Sequence, residues 1–128
     1  MLDAHYTQTV RTVSGVEVKR IAVNASSNAA AGNTLIAAVP GKRIGVLAAC
    51  LIAAGDVVAT FYSGPANTGT ALSGGLALSA NGGFVINAPA DPGVAWLMTA
   101  PGEALTLHLA SAVSVGGWLI YFEVAEAE

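Results

Sequence analysis

Few residues in this sequence could carry out chemistry, and those few are far apart. The two histidines are His5 and His108, and Cys50 is the single cysteine. A structural zinc site takes four ligands at close spacing, and one cysteine with two distant histidines cannot supply them. Cys50 also lies within the apolar run 44–55, whereas a reactive thiolate needs an electropositive and partly exposed setting. We therefore expect no metal site, no cofactor and no catalytic cysteine.

The acidic residues that could act as general acids or bases stand beside turns. Asp56, Asp91 and Glu103 each neighbour a glycine or a proline. Carboxylates at turns are usually solvated, whereas acid–base catalysis needs one of them held in an apolar pocket. The 15 glycines include no Gly-x-Gly pair, which excludes a dinucleotide fingerprint and a phosphate-binding loop. We expect a protein that is not an enzyme.

Composition restricts the class of protein further. The chain has 128 residues, of which 54% are hydrophobic and 10% charged, with 5 basic against 8 acidic residues and a net charge of −3. A chain of this length forms one domain, and its apolar content excludes a disordered protein. Five basic residues give too weak a field to bind nucleic acid through its phosphates, and a single cysteine excludes a disulfide framework.

The high apolar content raises the question of a membrane segment. The longest apolar run without a charge is 44–55, which is shorter than the about 20 residues that a helix needs to cross a bilayer. The first eleven residues lack the apolar core of an export signal. We expect neither membrane insertion nor export, and we expect self-assembly to cover the apolar surplus.

Turn signals recur at short intervals, as in all-β proteins. Pro-Gly occurs three times, and Asn-Gly-Gly and Ser-Gly-Pro add two further turns. No stretch has a helical period flanked by caps. The segments between the turns predict eight strands after an N-terminal segment: Asn33–Val39, Lys42–Ala53, Val57–Ser63, Ala71–Ser79, Gly83–Asn87, Val94–Thr99, Ala104–Ala110 and Gly117–Val124.

Several of these strands have apolar residues at every second position, which predicts one buried and one solvated face. The leucines of the seventh strand and the apolar residues of one parity in the eighth strand follow this pattern. We expect both sets in the core of a two-layer antiparallel sandwich. The predicted core residues are Leu105, Leu107, Leu109, Trp118, Ile120 and Phe122.

The strand Lys42–Ala53 is apolar at both parities after Arg43. A strand of that kind is buried on both faces, and in a two-layer sandwich only one face meets the core. We interpret the other face as a contact between subunits, because its many alanines allow close approach; a short core helix is the structural alternative. The interface residues predicted on this strand are Val46, Ala48, Ala49 and Leu51.

The first 31 residues differ in character from the rest. All five basic residues lie within the first 43 positions, and Tyr6–Val13 and Val16–Val23 could form strands. We interpret residues 1–31 as an N-terminal arm and linker and residues 32–128 as the sandwich domain. The arm either reaches a partner or pairs with the chain's own sheet. The predicted partner-contact residues are Tyr6, Val10, Arg11, Val13, Lys19 and Arg20.

Three segments resemble small virion proteins of tailed bacteriophages. They are Asn33–Leu47 (NTLIAAVPGKRIGVL), Leu76–Gly83 (LALSANGG) and Gly102–Leu107 (GEALTL), and the similarity extends over residues 20–124. The resemblance implies an eight-stranded antiparallel jelly roll that serves as a capsid decoration, or cement, protein. Such a protein would be made in the host cytoplasm and would sit as a homotrimer on the capsid surface of the virion, bound to the major capsid protein.

A jelly roll associated with a phage tail or fibre is the alternative, in which the domain binds a ligand or a glycan. Tyr62, Trp96, Trp118 and Tyr121 could line a groove for it. The two tryptophans share parity with apolar neighbours, so core packing is the simpler interpretation. Clustered, exposed aromatic side chains would favour the glycan-binding alternative.

Overall fold

In a computed structural model of the chain, the described residues form eleven strands in two antiparallel sheets. The structure describes residues 7–13, 16–87 and 95–125, and for residues 7–13 and 16 it describes the backbone alone. These ranges contain strands and no helix, which confirms the all-β prediction. The strands are β1 (Thr7–Val13), β2 (Val16–Ala25), β3 (Asn33–Ile36), β4 (Lys42–Ala53), β5 (Val57–Ser63), β6 (Thr70–Ala71), β7 (Leu76–Leu78), β8 (Gly83–Ile86), β9 (Leu97–Met98), β10 (Leu105–Leu109) and β11 (Val115–Ala125).

The two sheets pack face to face as a β-sandwich. Sheet A has the order β1-β2-β11-β4-β8, and β9 pairs with β4 along the same edge as β8. Sheet B has the order β3-β10-β5-β6, and β7 pairs with β5 along the same edge as β6. The chain therefore passes repeatedly from one sheet to the other, and the connection between β4 and β5 needs only residues 54–56.

The predicted strands agree closely with these bounds. Lys42–Ala53 and Val57–Ser63 are β4 and β5 without change, so the helical alternative for the first of them is wrong. The predicted strand Ala71–Ser79 is divided into β6 and β7, because Ser73-Gly74-Gly75 interrupts the pairing with β5. The other predicted strands correspond to β3, β8, β9, β10 and β11, with ends that differ by a few residues.

The core lies between the two sheets and is built from side chains of both. The prediction for the leucines of β10 is confirmed, since Leu105, Leu107 and Leu109 have no exposed surface. Phe61 of β5 packs with Phe84 of β8 edge to face, with ring centroids 6.3 Å apart. The largest of the other fully buried side chains in this core are Ile44, Leu51, Leu119, Val46 and Val115.

The prediction for β11 has the wrong face. Trp118, Ile120 and Phe122 point away from sheet B, whereas Leu119 and Tyr121 are buried in the core between the sheets. The strand is apolar at both parities, so alternation alone cannot decide which set is turned inward.

The N-terminal residues that the structure describes belong to sheet A. β2 pairs with β11 from Ala25 to Val18 without a break, and β1 pairs with β2 at the edge of the sheet. Of the two alternatives for this segment, pairing with the chain's own sheet is the one observed. The division into an arm of residues 1–31 and a domain of residues 32–128 stays a prediction.

Candidate functional site

The residues that could carry out chemistry do not converge. His108 lies on the outer face of sheet B beside Tyr62, with ring centroids 6.4 Å apart, whereas Cys50 lies on sheet A. His5 and Asp91 are outside the described residues. Within the described ranges, no three side chains of His, Cys, Asp or Glu are grouped so that they could hold a metal ion.

Two of the acidic residues bind to the protein's own loops. Ser63 Oγ donates to Glu103 Oε1 at 2.5 Å and accepts a hydrogen bond from the Ala100 N–H at 2.9 Å. Asp56 Oδ1 accepts a hydrogen bond from the Ala80 N–H at 3.0 Å. These carboxylates fix the connections between strands, and their geometry is that of structural groups.

The outer face of sheet A, which is turned away from sheet B, carries most of the exposed apolar surface. Ile52 is 53% exposed, Val85 63% and Trp96 56%. Val58, at 42%, is the remaining large exposed apolar side chain of the described residues, and it belongs to sheet B. Large exposed apolar patches are typical of surfaces that contact another molecule.

The register of sheet A shows how these side chains are arranged. Trp118 stands opposite Cys50, and Cys50 stands opposite Val85, so the three side chains form one row across the sheet. Ile52 lies in the next row along β4, and Trp96 precedes β9 at the parity of outward-facing Met98. We refer to Cys50, Ile52, Val85, Trp96 and Trp118 as the sheet A patch.

The chain itself covers another part of this outer face. Val18, Leu47 and Phe122 form a small buried cluster outside the main core, and Ala95 and Met98 pack against it. The apolar character of β4 on both faces is therefore satisfied partly within one chain. The sheet A patch is the portion that remains open.

Three of the four interface residues predicted on β4 face the wrong way. Val46, Ala49 and Leu51 are at most 1% exposed and lie in the core between the sheets. Ala48 stands opposite Ile120 on the outer face, where it is 5% exposed. The accessible apolar residues of β4 are instead Cys50 and Ile52.

A β-bulge explains why Val46 faces the core together with Ala49 and Leu51. The partners of Ile120 and Tyr121 on β4 are Ala48 and Val46, so Leu47 is an extra residue in that strand. The bulge brings Val46 and Ala49 to the same side of the sheet, although strict alternation would place them on opposite sides.

The residues predicted to contact a partner lie at the other edge of sheet A. Tyr6 is outside the described residues, and Val10, Arg11 and Val13 belong to β1, the edge strand. The pairing of β1 with β2 shifts between Thr9 and Arg11, so that Val10 forms a bulge. Among the described strands, none pairs with the other side of β1, and an unpaired strand edge is where a further strand can be added.

The remaining two predicted contact residues, Lys19 and Arg20, follow on β2. Lys19 Nζ lies 3.4 Å from Glu123 Oε1 in an ion pair, and Arg20 is exposed. Glu123 also borders a cleft of 410 Å³ between β2, β11 and the β3 segment. The cleft is lined by Ile21, Thr34, Leu35, Ile36, Ala37, Val39, Tyr121 and Glu123.

The sequence pattern predicts no role for Ile52 or Val85 and places Trp96 in the core. The exposure of these three side chains depends on which strands pair with β4 and on where those strands have a glycine. The pattern of one strand predicts neither the neighbouring strands nor the positions of their glycines, because both depend on the register of the sheet.

Comparison with known proteins finds no match: no family model, no curated protein and no solved structure is similar to this chain. In the described part of the chain there is no helix that could cross a membrane.

Proposed function

We propose that this protein is a non-catalytic structural component of a tailed-bacteriophage virion, which binds the outside of the capsid as a homotrimer and acts as a decoration protein. The observation that carries the self-association in this proposal is the sheet A patch, an exposed apolar surface on a sandwich in which Asp56 and Glu103 bind the protein's own loops. Cementing neighbouring subunits requires a large complementary surface and no reacting group. The three segments that resemble small virion proteins support the same function.

The proposed fold is a jelly roll. β6 and β7 both pair with β5 along one edge of sheet B, and β8 and β9 both pair with β4 along one edge of sheet A. We therefore count each of these two pairs of strands as one interrupted strand. Each sheet then has four strands, β2-β11-β4-β8/β9 and β3-β10-β5-β6/β7, with β1 added at the edge of sheet A. This order supports two Greek keys folded into a double-sheet jelly roll, an architecture that viral capsid proteins and lectins both use.

The proposed contact with the major capsid protein is made by the N-terminal residues. β1 is the edge strand of sheet A, and an extended segment of the partner can pair with it by strand addition. Arg11 and Arg20 add positive charge that attracts an acidic surface and makes binding weaker at high salt. Lys19 lies on the same strand and is paired with Glu123.

Binding to capsids that lack the protein tests this function. The full chain is expected to sediment with such capsids, and Arg11→Gln is expected to bind more weakly at low salt. Lys42→Gln is the matched control, because it removes the same charge at an exposed position of β4. Deletion of residues 1–15 is expected to abolish binding while a β-rich circular dichroism spectrum is retained. Capsid binding by the truncated chain that equals binding by the full chain would refute the N-terminal contact.

A phage tail or fibre module that binds a glycan is the second candidate. Trp96 is 56% exposed, and Trp118 is partly exposed on the same sheet, which is the kind of aromatic surface on which sugars stack. Glycan binding that is lost in Trp96→Ala, together with no binding to capsids, would favour this candidate over the first.

A further inference from the structure

Ile52 has an unusual setting on the outer face of sheet A. It stands opposite Gly116 on β11 and opposite Gly83 on β8, so no side chain flanks it on either neighbouring strand. Ile52 therefore projects from the sheet with bare backbone on both sides, and it is 53% exposed. A Cβ atom at Gly83 would overlap the carbonyl oxygen of Leu51, so the hollow on that side is a fixed feature of the sheet.

The Ile52 side chain and the two hollows beside it, at Gly116 and Gly83, lie on one surface. Each copy of the chain therefore carries both the projecting part and the receiving part of a contact. Ile52 of one copy fits over the bare backbone beside Ile52 of another copy. The adjacent row, with Trp118, Cys50 and Val85, continues the apolar surface next to this contact. A partner of different shape would leave either the projecting residue or the hollows unfilled.

The charges of this face also favour a second copy. The row of Ile52 and the row of Cys50 contain no acidic or basic residue among their paired positions, from β2 across to β8. Arg20 stands in the row next to that of Cys50, opposite Ile120, and Arg43 lies near the start of β4. Two copies can thus meet along these rows without removing a charge from water, whereas a partner recognised by ion pairs has nothing there to bind.

The open apolar side chains can supply only the centre of such a contact. Ile52, Val85 and Trp96 are each more than half exposed. A stable interface takes about 800 Å² from each partner, with an apolar centre and a polar rim.

We propose that the sheet A patch is a contact between copies of this chain, in which Ile52 of each copy sits over Gly116 of the other. Such a contact is two-fold and joins a pair of chains. The inference rests on the self-association that the proposed function includes and assigns a surface to one contact of it, and a trimer needs a further contact. It makes no use of a capsid.

Light scattering after size exclusion, over a range of protein concentration, tests the assignment. The full chain is expected to be larger than the 12.7 kDa of one chain. Ile52→Glu is expected to weaken self-association at least ~30-fold, because it places an unpaired carboxylate at the centre of the contact. Val58→Glu is the matched control, since it introduces the same charge at an exposed apolar position of sheet B, and it is expected to leave the oligomer unchanged.

A second variant fills the hollow and leaves the projecting residue in place. A Cβ at Gly116 meets only the Val23 carbonyl oxygen at 3.6 Å, an ordinary contact, so Gly116→Ala should fold normally. It is expected to weaken self-association about 10-fold, the effect of one methyl group forced into a filled contact. Gly74→Ala, where nothing lies within 4 Å, is the control for the substitution itself.

The outcomes separate this inference from the proposed function. A full chain that stays monomeric at every concentration overturns it, and so does an oligomer that Ile52→Glu and Val58→Glu affect equally. An oligomer that Ile52→Glu dissociates but that does not bind capsids supports the assigned surface and contradicts the capsid role. Circular dichroism of each variant shows whether the loss of association reflects unfolding, and Gly116→Ala decides the matter if Ile52→Glu does not fold.

Discussion

Substitution of Gly45 by alanine tests whether the outer cluster of sheet A is a second packed core. Gly45 stands opposite Phe122, and a Cβ atom there would lie 2.6 Å from two ring carbons of Phe122 and 3.1 Å from the Cβ of Ala95. Phe122 is 8% exposed and packs with Val18 and Leu47. The added methyl group must therefore displace the ring from its packed position.

The expected magnitude follows from two opposing effects. Overpacking of a filled site destabilises a protein by about 1–3 kcal/mol. Replacement of glycine by alanine stabilises it by about 0.4–1 kcal/mol, because alanine lowers the conformational entropy of the unfolded chain. We expect Gly45→Ala to lower the free energy of unfolding by about 1–2 kcal/mol. In a Phe122→Ala background the ring is absent, so the same substitution is expected to be neutral or slightly stabilising. The coupling between the two positions should then be about 1–3 kcal/mol.

Equilibrium unfolding in urea, followed by tryptophan fluorescence at one protein concentration, measures all four members of this cycle. Gly74→Ala is the control for the change in chain entropy, because its Cβ would meet nothing within 4 Å. If Gly45→Ala is as stable as Gly74→Ala, or if its penalty persists without the Phe122 ring, the packing described for the outer cluster is wrong.

Three further predictions concern stability. Leu107→Ala, at a fully buried position between the sheets, is expected to cost about 2–5 kcal/mol in urea unfolding; a cost below that of the exposed Val58→Ala would contradict the assigned core. Ser63→Ala removes the donor to Glu103 and the acceptor for the Ala100 N–H, and it is expected to cost about 1–3 kcal/mol, measured as a lower midpoint of thermal unfolding. Lys19→Met breaks the ion pair with Glu123 at a partly exposed site and is expected to change stability by less than about 1 kcal/mol; a larger loss in urea unfolding would show that the pair holds β2 to β11.

Much of the strand layout could be predicted from the sequence, because turns and strand formers mark it locally. The bounds of β4 and β5 are correct since an apolar run and a short turn at residues 54–56 define both strands. The division of one predicted strand into β6 and β7 depends on Ser73-Gly74-Gly75, whose effect on pairing appears only beside β5.

The faces of the strands could not be predicted with the same success. β11 has large apolar residues at both parities, and the inward set is chosen by packing against sheet B. In β4 the extra residue Leu47 changes parity halfway along the strand, and no turn residue marks it. The sequence therefore predicts interface residues such as Val46 and Leu51, which face the core in the structure.

The glycines beside β4 have a consequence for how the chain reaches its native alignment. β4 and β11 are apolar on both sides, so burial alone discriminates weakly against a slip of one residue, which would exchange their faces. Gly117, at φ +150°, and Gly83 sit where a Cβ would overlap the carbonyl oxygens of Cys50 and Leu51 respectively. A slip of one residue that brings Phe84 or Trp118 to these positions would be rejected by the backbone of β4, whereas the opposite slip brings Gly82 or Gly116 there. Steric exclusion at two points thus opposes a slip in one of the two directions and reduces the ambiguity that an apolar exterior would otherwise give the fold.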